Sequence, residues 1–80
     1  MEKDMLLKLL KKHLTEIIPE LEEETILVDE PLRDLGANSV DRGELIALTL
    51  EQLELDIARV ELVGAQTLDE LADVLLEKMG

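Results

Sequence analysis

Apolar residues recur at helical spacing through the start of the chain: Leu6, Leu9, Leu10, Leu14, Ile17 and Ile18, with Lys8, Lys11 and Lys12 between them. This period of about 3.6 predicts an amphipathic helix. Pro19 ends it, because proline has no N–H to donate and restricts the residue before it. The pattern then breaks. Glu20 to Ala37 carries an acidic run (Glu22, Glu23, Glu24), an apolar and β-branched patch from Thr25 to Val28, and the turn-like Asp29-Glu30-Pro31. A connection this long is uncommon in a small domain and tends to be functional. Leu21, Ile26, Val28, Leu32 and Leu35 are the residues expected to pin it to the helices. Thr25 to Val28 also reads as a short strand, but no second strand offers a partner.

Helical spacing resumes from about Ser39 to Leu53, where Leu45, Ile46, Leu48, Leu50 and Leu53 supply apolar contacts and Asp41, Glu44, Glu51 and Glu54 line the other side. Asp56 to Leu62 is a short helical turn at best, stopped by Gly64. The last helix opens with Thr67-Leu68-Asp69-Glu70, a Thr-x-x-Glu capping box. Its buried face is read as Leu68, Leu71, Ala72, Val74, Leu75 and Met79. The predicted fold is all-α: a small, right-handed-type four-helix bundle. It has three main helices, one short third helix, and a long loop between helices 1 and 2. Residues 1–80 are read as one domain, with no repeats.

Composition narrows what such a bundle can do. Its 80 residues contain no cysteine and no Phe, Trp or Tyr, and 46% are hydrophobic. The core must therefore be aliphatic, with no disulfide or thiolate metal site to staple it. The net charge of −12 is unevenly spread. Lys3, Lys8, Lys11 and Lys12 outweigh Glu2 and Asp4 up to His13, whereas 18 acids face only Arg33, Arg42, Arg59 and Lys78 beyond it. Such a surface repels nucleic-acid phosphates and anionic lipid and attracts basic protein patches. No apolar run is long enough to cross a bilayer, and lysines interrupt the only signal-like segment. A soluble cytoplasmic protein that binds neither nucleic acid nor membrane is expected.

Catalytic chemistry finds few parts here. His13 is the sole histidine, so no metal site is expected, and its place beside Leu9 and Leu10 reads as a packed or boundary residue. The acids do not adopt the spacing of a calcium loop. Gly36-Ala37-Asn38-Ser39-Val40 lacks the second glycine of a nucleophile elbow, and the histidine lies on a different helix from Ser39. No catalytic residue is assigned.

What remains is a doubled helix cap. Asn38 and Ser39 both favour the N-cap, yet a helix has one such position. For a serine just ahead of a helix, the cap is the ordinary role. With Asn38 as the cap, Asp41 falls at N3 as a carboxylate version of the capping box. Ser39 then becomes the first helical residue with its hydroxyl free. A phosphate attached there would meet free N–H groups and the positive end of the helix dipole.

At these residues the chain resembles a known family. Asp34-Leu35-Gly36-Ala37-Asn38-Ser39-Val40-Asp41 is similar to the Asp-x-Gly-x-Asp-Ser-Leu segment of acyl carrier proteins, and the likeness in length, acidity and helix order spans the whole chain. The resemblance implies that Ser39 carries 4′-phosphopantetheine, added from coenzyme A by a separate phosphopantetheinyl transferase. The carrier is then a substrate and not an enzyme. The arm's thiol would hold acyl groups as thioesters for an acyltransferase and for a ketosynthase or HMG-CoA-synthase-like enzyme, with the carrier itself a monomer. The same resemblance implies a docking face. Val40, Glu44, Ala47 and Glu51 share one side of the second helix, flanked by Asp34 and Asp41, with Asn38 and Arg42 beside the serine.

Asn38 stands where many members of the family have aspartate, Val40 replaces the usual leucine, and Arg42 adds a positive charge. Gly43 lies inside the helix at a cost of about 1 kcal/mol relative to alanine; it either allows close approach of a partner backbone, the reading favoured here, or is simply tolerated. The variant looks more like discrete carriers of polyketide assembly lines than the fatty-acid carrier. In particular it is similar to donor carriers that deliver an acetyl group to an HMG-CoA-synthase-like enzyme for β-branching. A chain running from Met1 to just past its last helix fits a discrete protein. The readings left open are a fatty-acid or aminoacyl carrier, and, outside the family, an acidic helical interaction module with no covalent cargo.

Overall fold

The computed structural model describes residues 2–79, and its three α-helices are α1 (Lys3–Ile17), α2 (Ser39–Leu53) and α3 (Leu68–Met79). Three 3₁₀ turns lie between them, at Glu23–Thr25, Leu32–Leu35 and Arg59–Leu62. The expected short third helix is thus a single 3₁₀ turn. No strand occurs among the described residues: the Thr25–Val28 patch begins in the first 3₁₀ turn and continues as extended chain. An unpaired strand would leave its backbone groups unbonded, and no partner strand lies alongside.

α1 packs against both α2 and α3. Leu6, Leu10 and Leu14 from α1 meet Leu45, Ile46 and Leu50 from α2 and Leu68, Leu71, Ala72 and Leu75 from α3 in one aliphatic core. Burying a leucine is worth roughly 1.5–3 kcal/mol, so close-packed aliphatic side chains supply the driving force without an aromatic residue. Of the expected contacts, Leu9, Ile17, Ile18, Leu48, Leu53, Val74 and Met79 are half-buried rather than central. Ile26 and Leu32 from the long loop are fully buried, and Leu21, Val28 and Leu35 pack on the core's edge as the sequence predicts.

One polar pair sits inside. His13 and Thr49 are both buried, and His13 Nδ1 lies 3.1 Å from Thr49 Oγ1. The Thr49 hydroxyl donates to the Leu45 carbonyl at 2.8 Å. Its single hydrogen is therefore occupied, so the ring must donate through Nδ1 and the threonine oxygen accepts.

Each helix ends for a local reason. α1 closes with the Ile18 N–H on the Leu14 carbonyl at 2.8 Å, just before Pro19. α2 closes over Glu54, which adopts the left-handed conformation (φ 55°), with the Leu55 N–H reaching back to the Leu50 carbonyl at 2.9 Å. At the start of α3 the Thr67 hydroxyl accepts the Glu70 N–H at 3.1 Å and donates to the Glu70 carboxylate at 3.3 Å. This departs from the full capping box, in which the carboxylate would bond the threonine N–H.

Two backbone hydrogen bonds then tie the long first loop to the start of α3: Leu32 N–H to the Gln66 carbonyl just before the helix (2.8 Å), and the Asp69 N–H of its first turn to the Val28 carbonyl (2.9 Å). Together they hold the end of the molecule at which α2 begins.

Candidate functional site

The approach to α2 is built by a turn that buries both its ends. Leu32 and Ala37 are almost fully buried, and the Ala37 N–H bonds the Leu32 carbonyl at 3.1 Å. Between them Gly36 takes φ 98°, a left-handed geometry that costs a side-chain-bearing residue energy and glycine none. With Ala37 anchored, the next residues emerge at the surface.

Asn38 is the N-cap of α2. Its Oδ1 accepts the Asp41 N–H at 2.9 Å, and its own N–H donates to Asp41 Oδ2 at 3.3 Å. Both halves of a reciprocal capping box are present, in the carboxylate form expected from the sequence. Ser39 is consequently the first helical residue, exposed, with no hydrogen bond to its hydroxyl among the described residues. Val40 beside it is 75% exposed, an unusual display of a branched apolar side chain.

Glu44 and Glu51 are exposed and Ala47 half-buried along the same face of α2, and neither glutamate has an ion pair among the described residues. Asp34 is exposed on the preceding 3₁₀ turn, with a loose 4.0 Å approach to Arg33. Asp41 has its carboxylate engaged in the cap. Arg42 is not displayed beside the serine as a free cation. It turns away, and its Nη2 donates to the Val63 carbonyl at 3.1 Å and the Ala65 carbonyl at 2.9 Å. Its Nε is buried without a partner. Arg42 therefore clasps the loop ahead of α3 to the first turn of α2.

That clasp forms one wall of a cleft of about 300 Å³ that opens at Ser39, lined also by Gly43, Ile46, Arg59 and Val63. Ser39, Gly43 and Ile46 follow one another up the same helical face. A Cβ built on Gly43 would meet nothing within 4 Å, so internal packing does not require glycine there. Sequence reasoning did not single out Arg59 or Val63, because only the path of the loop brings them beside α2.

An exposed, unencumbered serine on a glycine-turned, asparagine-capped helix start is accessible to covalent modification, and comparison with known proteins places the chain in a family. The family model described as phosphopantetheine attachment site matches residues 8–75. The chain belongs to the phosphopantetheine-binding acyl carrier family. It is 40% identical to the polyketide biosynthesis acyl-carrier-protein AcpK of Bacillus subtilis (strain 168), over 99% of this chain and 96% of that protein. It also matches a chain in the crystal structure of the curacin biosynthetic pathway HMG synthase in complex with an acetyl-donor carrier protein. That match has a TM-score of 0.90 and 44% identity, and it covers 98% of this chain and 100% of the other.

The function that goes with this membership is that of a carrier in polyketide biosynthesis, not a catalyst. The group carried by this acyl carrier family is 4′-phosphopantetheine, held covalently on a serine. The residues at the start of α2 fit such a group. The chain has a single serine, which is exposed, and the adjoining cleft is open at Gly43 and cationic at Arg42 and Arg59, which suits a phosphate-bearing group. That Ser39 has no rival serine anywhere in the chain was a signal already present in the sequence.

Proposed function

We propose that Ser39 is the attachment point of the phosphopantetheine arm, and that the chain from 1 to 80 acts as one carrier domain. The observation that carries this reading is the division of labour at the helix start. Asn38 and Asp41 satisfy the cap between them, so the only serine is left with a free hydroxyl at the positive end of α2. A phosphopantetheinyl transferase would bring coenzyme A to this hydroxyl. The serine oxygen bonds the phosphorus that bears pantetheine, the pyrophosphate P–O bond breaks, the hydroxyl proton leaves, and the adenosine bisphosphate half departs. When bound, the arm supplies a thiol that holds acyl groups as thioesters. The dependence on coenzyme A goes with a cytoplasmic protein.

The chain's own residues present that arm. Val40, Glu44, Ala47 and Glu51 make an acidic stripe with an apolar tip leading away from Ser39, and Asp34 extends the negative charge on the other side. A basic partner surface would be drawn to it quickly without being held tightly, which suits a shuttle. The likeness to the acetyl-donor carrier supports an HMG-synthase-like enzyme as the partner that accepts an acetyl group from Ser39's arm for β-branching, with an acyltransferase loading it.

Incubation with coenzyme A, magnesium and a promiscuous transferase should add about one phosphopantetheine, on the order of 340 Da, to the intact protein. Ser39→Ala should abolish the gain. A gain that survives that substitution would reject Ser39 as the attachment point. With acetyl-coenzyme A in place of coenzyme A, the acetylated protein should lose its acetyl group to an HMG-synthase-like enzyme far faster than to a fatty-acid ketosynthase. The reverse order would remove the β-branching assignment.

A further inference from the structure

The chain carries 20 acids against 8 lysines and arginines, yet no acid lines the cleft at Ser39: its charged lining residues are Arg42 and Arg59. The two differ in how they are engaged. Arg42 is bonded to the Val63 and Ala65 carbonyls. The Arg59 side chain is exposed and has neither an ion pair nor a hydrogen bond among the described residues. The side chains of Lys8, Lys11 and Lys12 on α1 are likewise unpaired among the described residues, but of these four cations Arg59 alone lines the cleft at Ser39. A free guanidinium in a chain of net charge −12, beside the one hydroxyl expected to receive a phosphodiester, is poised for that anion. Beyond the cation the cleft is apolar. Ile46 forms its floor, Val63 is 61% exposed on its far wall, and Gly43 keeps the middle open at the expense of helix propensity.

We propose that Arg59 is a positioning residue for the phosphopantetheine arm: its guanidinium pairs with the phosphodiester on Ser39, and the segment after the phosphate rests over Gly43 between Ile46 and Val63 while no partner is bound. This rests on Ser39 as the attachment point. It explains two features the attachment alone does not, the unpaired arginine on the turn before α3 and the glycine inside α2. Docking on the acidic face of α2 would then draw the arm out of the cleft, so Arg59 sets how readily the arm is released.

The test uses the full chain, isotope-labelled, before and after loading with coenzyme A and a transferase. Intact mass reports whether Ser39 is loaded, and proton–nitrogen correlation spectra report where the arm lies. Loading should shift the Arg59 Nε–H signal and the amides of Gly43, Ile46 and Val63. Arg59→Ala, which removes an exposed side chain with no partner, should at least roughly halve the shifts at the other three, and Arg59→Lys should restore part of them, because an ammonium keeps the charge without the fork. Gly43→Ala, which fits the free protein without contact, should reduce the Ile46 and Val63 shifts in whatever fraction of the chain the intact mass shows to be loaded. A chain that gains no mass overturns the attachment reading and this proposal with it. A chain that gains the mass but shows shifts only at residues 38–42, or shifts indifferent to Arg59→Ala, overturns this proposal alone.

Discussion

Asn38 and Asp41 cap α2 for each other: the asparagine oxygen takes the aspartate's N–H at 2.9 Å and the aspartate oxygen takes the asparagine's N–H at 3.3 Å. This reciprocity leaves Ser39 with no structural duty. Asn38→Ala should therefore lower stability by about 1 kcal/mol, the usual effect of removing a cap. Ser39→Ala should change it by less than about 0.5 kcal/mol, as for an exposed residue without partners. Urea unfolding of the two variants separates them, and a Ser39→Ala loss as large as that of Asn38→Ala would mean that the serine shares the cap.

The clasp made by Arg42 joins α2 to a loop more than twenty positions away. Arg42→Ala should cost about 1–3 kcal/mol, since a charged donor is lost and two carbonyls must find other partners. Amide exchange at residues 63–66 should accelerate more than exchange in the core of α1. Uniform acceleration would indicate a global loss with no special hold on the loop.

His13 and Thr49 form a buried donor–acceptor pair across α1 and α2. Thr49→Val should cost about 1–3 kcal/mol, because it strands the ring's Nδ1–H away from water. In the double variant, with His13→Leu added, the loss should be smaller than the sum of the two single losses, since an apolar pair leaves nothing unsatisfied. Strict additivity in chemical denaturation would show that the two side chains are energetically independent.

Exposed ion pairs give the fold a modest pH dependence. Lys78 lies 2.6 Å from Glu61, which lowers the Glu61 carboxyl below its ordinary value and raises the Lys78 amine above its own. The carboxylate's contribution is complete above the ordinary glutamate range and is lost as pH falls through the lowered one. The amine's contribution is complete below the ordinary lysine range and is lost as pH rises through the raised one. Lys3, raised by Asp69 and Asp73, follows the amine's direction. Because these groups are solvent-exposed, salt screens them. A small stability difference between the protein and Glu61→Gln should appear near neutrality, shrink at high ionic strength, and disappear in acid. A difference that persists in acid would have to come from packing.

The stripe from Val40 to Glu51 supplies the last expectation. Reversing Glu44 and Glu51 to lysine should slow association with an HMG-synthase-like partner by roughly tenfold at low salt, with the gap closing as salt rises. The fold should be unaffected, because both side chains are exposed and unpaired. Unchanged rates in stopped-flow mixing would move the docking face elsewhere.

What the residues determine alone is whatever depends on neighbours within a turn or two. The apolar period from Leu6 to Ile17 makes α1, Pro19 stops it, Thr67 and Glu70 start α3, and the Asn38–Asp41 spacing exposes Ser39 as the first residue of α2. Each of these is an i to i+3 or i+4 relation, readable in one dimension. The tertiary structure decided the rest. His13 meets Thr49, Arg42 meets Val63 and Ala65, and Arg59 comes to the cleft beside Ser39 only because Leu32 and Val28 bind the chain near α3 and bring two distant loops to one end. Arg42 shows the difference most clearly. By its position in the helix it belonged with the docking charges, but its guanidinium turns inward to the Val63 and Ala65 carbonyls, and the exposed cation at the cleft is Arg59.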